Sequence, residues 1–217
     1  MPSQPTNFSE GDIRGVDVSH FQGVINWQKV AASGVAFGYT KATENVGFKD
    51  TFFTPNYSGM KNAGIFRGGY HFFRPAADAS AQADNFLNVI SKLEPGDLPP
   101  ALDVEVNDGK SASVIIKGVT TWLQQVEKAL GRTCVIYTSA SFWNANLGGT
   151  SAFSGHPLWV AHYTNAPKPN IPKGFDSYVI WQFSANGKGA VNGINSDNLD
   201  LDRFNGTLDD LRKLAGL

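Results

Sequence analysis

Asp103 and Glu105 stand two residues apart in the run Pro99-Pro100-Ala101-Leu102-Asp103-Val104-Glu105. The prolines stop a helix from running into this stretch. In an extended chain, alternate side chains point the same way, so both acids share one face, with Cα atoms ~7 Å apart. Neighbouring carboxyls resist being ionised together. One of them therefore keeps its proton to higher pH, which places an acid and a carboxylate side by side near neutrality. That pairing suits proton donation to a leaving group combined with charge stabilisation. Two solvated acids at a strand end would have the same spacing, so the surrounding elements decide between the two readings.

Those elements are short, apolar and β-rich. Eight such segments are expected, at residues 13–19, 35–43, 66–73, 99–105, 134–139, 157–163, 178–184 and 198–204. Helical patterns follow the first five, at 25–33, 51–63, 78–93, 111–130 and, shortest, 141–147. The longest carries Ile115, Val119, Trp122, Leu123, Val126 and Leu130 on one face and stops at Gly131. Pro55 limits how early the second helix can begin. The pattern then changes. Pro167, Pro169 and Pro172 fill one late gap, and Gly187, Gly189 and Gly193 fill the next, so neither holds a crossover helix and some late strands are expected to run antiparallel. A last helix is expected at 207–215. The alternation predicts an α/β fold, a (β/α) barrel whose final third has lost its helices. A doubly wound open sheet is the alternative, although no strand–turn–helix unit carries a GxGxxG or phosphate loop.

Composition narrows the function. The 217 residues are 41% apolar and 17% charged, with a net charge of −1, which offers no broad field to nucleic acid or an anionic membrane. No apolar run approaches the ~18–20 residues of a membrane span. The single cysteine, Cys134, lies in an apolar run and reads as a buried thiol. Residues 1–12 are polar without an apolar leader, so they are expected to form a flexible tail ahead of one domain spanning 13–217, and export is expected to use another route or a leader already removed. Three Asn-x-Ser/Thr triplets start at Asn7, Asn56 and Asn205.

In a barrel the strand C-termini line the active face. The segments end in Asp17, Ser19 and His20; Lys41 and Glu44; Tyr70 and His71; Asp103 and Glu105; Tyr137; Trp159, His162 and Tyr163; Trp181 and Gln182; and Asp200 and Asp202. Carboxylates ringed by Trp and Tyr suit sugars, because aromatic faces stack on pyranose rings. Glycosidic cleavage needs one acid to protonate the leaving oxygen and another group to stabilise the oxocarbenium-like centre. A metal-dependent polysaccharide deacetylase using Asp17, His20, His71 or His162 is a rival reading, but the four histidines show no HxH or HExxH spacing. A non-catalytic wall-binding barrel is a second rival. It would keep the aromatics and have no need of four acids.

Gly15-Val16-Asp17-Val18-Ser19, Lys41-Ala42-Thr43-Glu44, Gly69-Tyr70-His71-Phe72, Leu102-Asp103-Val104-Glu105, Trp159-Val160-Ala161-His162-Tyr163, Trp181-Gln182-Phe183 and Asp200-Leu201-Asp202-Arg203-Phe204-Asn205-Gly206 together resemble glycoside hydrolase family 25, the Chalaropsis-type lysozymes. The resemblance runs in order from about residue 13 to 206. It implies a single TIM-like (β/α)5(β)3 barrel that cleaves the β-1,4 bond between N-acetylmuramic acid and N-acetylglucosamine in peptidoglycan, outside the cytoplasm. By motif, Glu105 matches the general acid and Asp103 the acid that assists the 2-acetamido group. Asp17 and Asp200 match the other two acids, and Tyr70, Tyr137 and Trp159 match positions lining sugar subsites. Tyr163, Trp181, Gln182, Lys41 and Glu44 are further candidates for substrate contact. No cofactor or metal is expected, peptidoglycan is the expected partner, and a monomer is the default. The chain departs from the family pattern at Asn45, where Gly is usual, and at Asp202, where Asn is usual.

Overall fold

The computed structural model describes residues 4–217. In chain order it contains β1 (Ile13–Val18), a 3-10 turn (His20–Gln22), α1 (Trp27–Ala32), β2 (Val35–Glu44), β3 (Phe48–Lys49), α2 (Phe53–Asn62), β4 (Phe66–Phe72), α3 (Ala79–Leu87) and β5 (Ala101–Asp103). It continues with α4 (Ala112–Leu130), β6 (Val135–Ser139), α5 (Ala140–Asn146), β7 (Leu158–Ala161), β8 (Ile180–Ser184), β9 (Asp200–Phe204) and α6 (Leu208–Leu214). Eight strands close into a ring in the order β1-β2-β4-β5-β6-β7-β8-β9, with β9 returning to β1, and β3 hangs from β2 as a short hairpin. Closure through both β1–β2 and β1–β9 rules out the open sheet. The fold is the α/β barrel expected, with helices after the first five barrel strands and loops between the last three.

One strand runs the other way. β9 is antiparallel to both β8 and β1, while the remaining barrel pairs are parallel. The first residue of β9, not its last, therefore reaches the end of the barrel where the other strands finish.

Inward-facing residues fill the barrel with aromatic rings: Phe37, Tyr39, Tyr137, Trp159 and Phe204 pack with Ala101, Val135 and Ile180. Tyr39 stacks on Trp159 at 4.8 Å, and the Tyr39 hydroxyl donates to the Pro99 carbonyl at 3.0 Å. Two glycines make room for rings this large. A Cβ on Gly15 would lie 2.2 Å from the Phe37 ring, and one on Gly68 2.2 Å from Tyr39. Outward-facing strand residues such as Val16, Val18, Leu102 and Ile136 pack against the helices, and α4 turns Ile115, Val119, Trp122, Leu123 and Val126 into that layer. Cys134 is fully buried.

Three local differences from the sequence reading have physical causes. α3 stops at Leu87 rather than Leu93, because the chain leaves the helix after Asn88 so that Ile90 can fill the space beside Gly69, where a Cβ would lie 2.3 Å from Ile90 Cδ1. The hairpin to β3 turns at Asn45, whose φ of 53° lies in the left-handed region that Gly and Asn adopt most readily. Residues 4–12, expected as a loose tail, lie against β8 and β9. Phe8 meets Phe183 edge-on at 5.6 Å, Arg203 Nε pairs with Asp12 at 2.9 Å, and Ala185 N donates to Gln4 Oε1 at 2.9 Å. Asn56, one of the triplet asparagines, is buried and accepts a hydrogen bond from Trp27 Nε1 at 3.3 Å, so it presents no amide for modification.

Candidate active site

A cleft of about 250 Å³ opens at the C-terminal end of the parallel strands. β1 supplies Asp17 with Ser19 just beyond it, β2 supplies Lys41, β4 Tyr70 and Phe72, and β5 Asp103 with Glu105 next in line. β6 adds Tyr137, β7 Trp159 with Tyr163 past its end, β8 Gln182, and β9 Asp200. The four acids singled out from the sequence thus converge, together with six of the eight proposed contact residues.

The acids are held by the ladder. Asp103 pairs in register with Phe72 on one side and Tyr137 on the other. Val104 is clamped between its two acidic neighbours: its N–H donates to the Tyr137 carbonyl at 2.9 Å, and its carbonyl accepts from the Thr138 hydroxyl at 2.8 Å. Asp103 and Glu105 are therefore directed into the cleft from a fixed backbone. Asp103 is buried and its Oδ1 has no partner, whereas Glu105 is exposed at the cleft mouth.

The antiparallel β9 separates its two acids by depth. Asp200 pairs in register with Asp17 and lines the cleft. Asp202 lies one inward position deeper, opposite Gly15 and Gln182, and is 1% exposed. Its Oδ1 accepts from Trp159 Nε1 at 2.8 Å. Asp17 in turn accepts from Gln182 Nε2 at 2.7 Å, while Gln182 Oε1 accepts from the hydroxyls of Tyr137 at 2.8 Å and Tyr163 at 2.7 Å.

Burial raises the proton affinity of every acid in the group. Burial pushes Asp17 well above the usual carboxylate range, and the Asp202 charge adds to it. Burial and then Glu105 do the same to Asp103, against the pull of Lys41. Glu105 is raised by its partial burial, again with Lys41 opposing. Asp200 is raised to about 9 by burial and by the charges of Asp17 and Glu105, and burial raises Asp202. Among the described residues lining the cleft, Lys41 alone is cationic. Its Nζ sits 2.5 Å from Glu44 Oε2 and 4.8 Å from the centre of the Phe72 ring.

Two proposed contact residues stand elsewhere. Trp181 precedes Gln182 on β8, and because neighbours in a strand point to opposite faces, it turns into the outer core. There its Nε1 donates to the His162 carbonyl at 2.9 Å and Arg203 lies 5.3 Å from its ring. Glu44 lies outside the cleft lining and reaches it only through Lys41. The histidines are dispersed. His71 is buried between Thr43 at 2.6 Å and Gln82 at 3.1 Å, and burial lowers its pKa to about 4. His20 pairs with Asp50, His156 with Glu127, and His162 Nδ1 accepts from Asn170 N. Phe21, Gln22 and Phe72 also line the cleft and were not singled out. Phe72 follows Tyr70 by two residues on β4 and so shares its face, and Ser19-x-x-Gln22 is a capping box, so both signals were present in the sequence.

Comparison with known proteins agrees with this geometry. The family model described as "Glycosyl hydrolases family 25" matches residues 16–194. "Lysozyme M1" of Streptomyces globisporus is 38% identical over 94% of this chain and 71% of its own length. The N,O-diacetylmuramidase of Chalaropsis sp is 32% identical over 94% of this chain and 99% of its own. Among solved structures, the bacterial lysozyme from Streptomyces coelicolor superposes with a TM-score of 0.89 at 37% identity, covering 95% of this chain and 98% of that one.

Proposed function

The chain belongs to glycosyl hydrolase family 25, and from that premise we propose that it is a lysozyme cleaving the muramic acid–glucosamine β-1,4 bond of peptidoglycan, with Glu105 as general acid and Asp103 as the acid that assists the substrate's acetamido group. The observation that supports these roles is the pair itself. Asp103 and Glu105 enter one cleft from one clamped strand end, one buried with an unpartnered oxygen and the other exposed to an incoming leaving group.

In this reading Glu105 carries the proton to be donated, and its burial, which raises its pKa, favours that form. It passes that proton to the glycosidic oxygen as the bond to the anomeric carbon breaks. The acetamido carbonyl oxygen of the same sugar then bonds to the anomeric carbon, giving a cyclic cation whose N–H faces Asp103 Oδ1. Glu105, now a carboxylate, takes a proton from the water that attacks the anomeric carbon, and the ring opens with net retention. Acids two residues apart on one strand leave poor room for a separate protein nucleophile on the opposite sugar face, which favours the substrate's own carbonyl. Tyr70, Tyr137, Trp159 and Tyr163 are proposed as cleft walls for the sugars, and Lys41 as a cation near the developing charge.

The test is digestion of purified peptidoglycan, borohydride reduction of the new ends and mass spectrometry, with NMR of the first-formed anomer. Muramitol ends and an initial β product are expected. Glucosaminitol ends would overturn the bond assignment, and an initial α product would overturn retention.

A further inference from the structure

The rim of the cleft at the end of β1 carries an aromatic side chain that the fold itself does not use. Phe21 is 78% exposed and lines the cleft. Single exposed apolar residues are ordinary. This one sits on a turn whose other side chains are all tied down. The Ser19 hydroxyl accepts from Phe21 N at 3.3 Å, Ser19 N donates to Gln22 Oε1 at 2.8 Å, and Gln22 Nε2 donates to the Asn198 carbonyl at 3.0 Å. Asp50 Oδ2 holds both the backbone N–H of His20 at 3.0 Å and its ring Nδ1 at 2.7 Å. The His20 ring backs Phe21 with centroids 4.1 Å apart, and Phe48, 41% exposed, continues the row 5.8 Å beyond His20. The result is a preorganised apolar ledge that adjoins a polar cleft.

The size of the cleft limits what it can enclose. Its 250 Å³ falls below the ~300–1,000 Å³ of a pocket that encloses a drug-sized molecule. Most of a polymeric substrate must therefore run out across the rim. A pyranose offers an apolar C–H face of ring size, and a fixed aromatic face accepts it with little ordering cost.

We propose that Phe21, backed by His20, is a stacking platform for a sugar ring of the glycan strand lying beyond the sugars bracketed by the acids. This rests on the glycan-cleaving reading above. The class of ligand is the polysaccharide backbone itself, without its stem peptides.

The test uses glycan strands stripped of stem peptides, as a disaccharide and a hexasaccharide, titrated into Glu105→Gln protein with and without Phe21→Ala. Phe21→Ala is expected to weaken hexasaccharide binding about 3- to 10-fold, the scale of one aromatic contact, and to weaken disaccharide binding less. Phe21→Trp is expected to restore hexasaccharide binding. Equal hexasaccharide affinity in the two proteins would overturn the platform, as would an equal loss for both lengths or a loss seen only with strands that keep their stem peptides. Because binding is read in a protein without the general acid, this outcome is separate from turnover. Wild-type protein releasing no reducing ends from the same strands would sink the lysozyme reading and leave the binding comparison standing.

Discussion

Gln182 holds Asp17 by a 2.7 Å hydrogen bond from Nε2, and the direction of that bond is fixed by two tyrosines. The hydroxyls of Tyr137 and Tyr163 both donate to Gln182 Oε1, so the amide nitrogen has to face Asp17. Gln182 thereby spends both ends of its amide on protein groups and acts as a positioning residue for Asp17. Gln182→Glu keeps an acceptor for the tyrosines, replaces the fixed amide donor to Asp17 and, once ionised, adds a negative charge. The added charge raises the proton affinity of its neighbours, so Glu105 stays protonated to higher pH. We expect kcat to fall roughly 10²-fold, as displaced groups cost, and the alkaline limb of the pH–rate profile to move upward. Gln182→Met, which adds no charge, should lower kcat without that movement. A Gln182→Glu profile with the wild-type limb would refute the relation.

Glu105→Gln tests the assigned general acid. The side chain is exposed at the cleft mouth, so the substitution should leave the melting temperature close to wild type. Turnover of peptidoglycan should fall by about 10²–10⁴-fold or more. Reducing-end release close to wild-type rates in a folded Glu105→Gln protein would mean that another acid donates the proton.

Most of this site was readable because it depends on alternation. Once 99–105 is extended, Asp103 and Glu105 must share a face, and Tyr137 and Trp159 arrive by the same rule on β6 and β7. The rule also excludes Trp181 once Gln182 faces inward, since adjacent residues cannot both enter the barrel. Strand direction was less accessible. The glycine-rich loop before β9 allowed an antiparallel strand without requiring one, and only the β8–β9 and β9–β1 registers put Asp200 in the cleft and Asp202 beneath it. Polar composition marked residues 1–12 as a tail, but composition does not register Phe8 docking on Phe183 where the barrel lacks a covering helix.

Asp200 makes stability depend on pH with a defined sign. Its carboxyl titrates at about 9 in the folded protein, against roughly 3.9 in an unfolded chain. The folded state therefore binds this proton more tightly. The stabilisation is fully present below about pH 4 and is lost progressively as the pH rises towards 9. Asp200→Asn has no proton to lose. Thermal unfolding measured from pH 5 to 9 should show the wild-type melting temperature falling more steeply than that of Asp200→Asn, with the variant the more stable at the alkaline end. Parallel curves would show that Asp200 is already ionised in the folded protein.

Trp159 and Asp202 form the buried polar contact under the cleft floor, and its worth can be isolated. Asp202 Oδ1 receives the indole N–H at 2.8 Å, and Oδ2 has no hydrogen-bond partner among the described residues, while Asp202 and Asp17 interact side chain to side chain. Trp159→Phe removes the indole N–H and leaves a buried acid without its fixed donor, a loss of about 1–3 kcal/mol. It also removes ring volume, so the single variant alone cannot assign the cost. Asp202→Asn supplies the correction: its carbonyl can still accept from Trp159, its amide can donate to Asp17, and it carries no charge to desolvate. In a double-mutant cycle followed by denaturant unfolding, the two substitutions should couple by about 0.5–3 kcal/mol, as groups in one hydrogen-bond network do. Asp202→Asn alone should also stabilise more at pH 8 than at pH 5, because the raised proton affinity of Asp202 costs stability as the pH climbs. Additive effects with no pH dependence would mean that the indole packs against Asp202 without holding it.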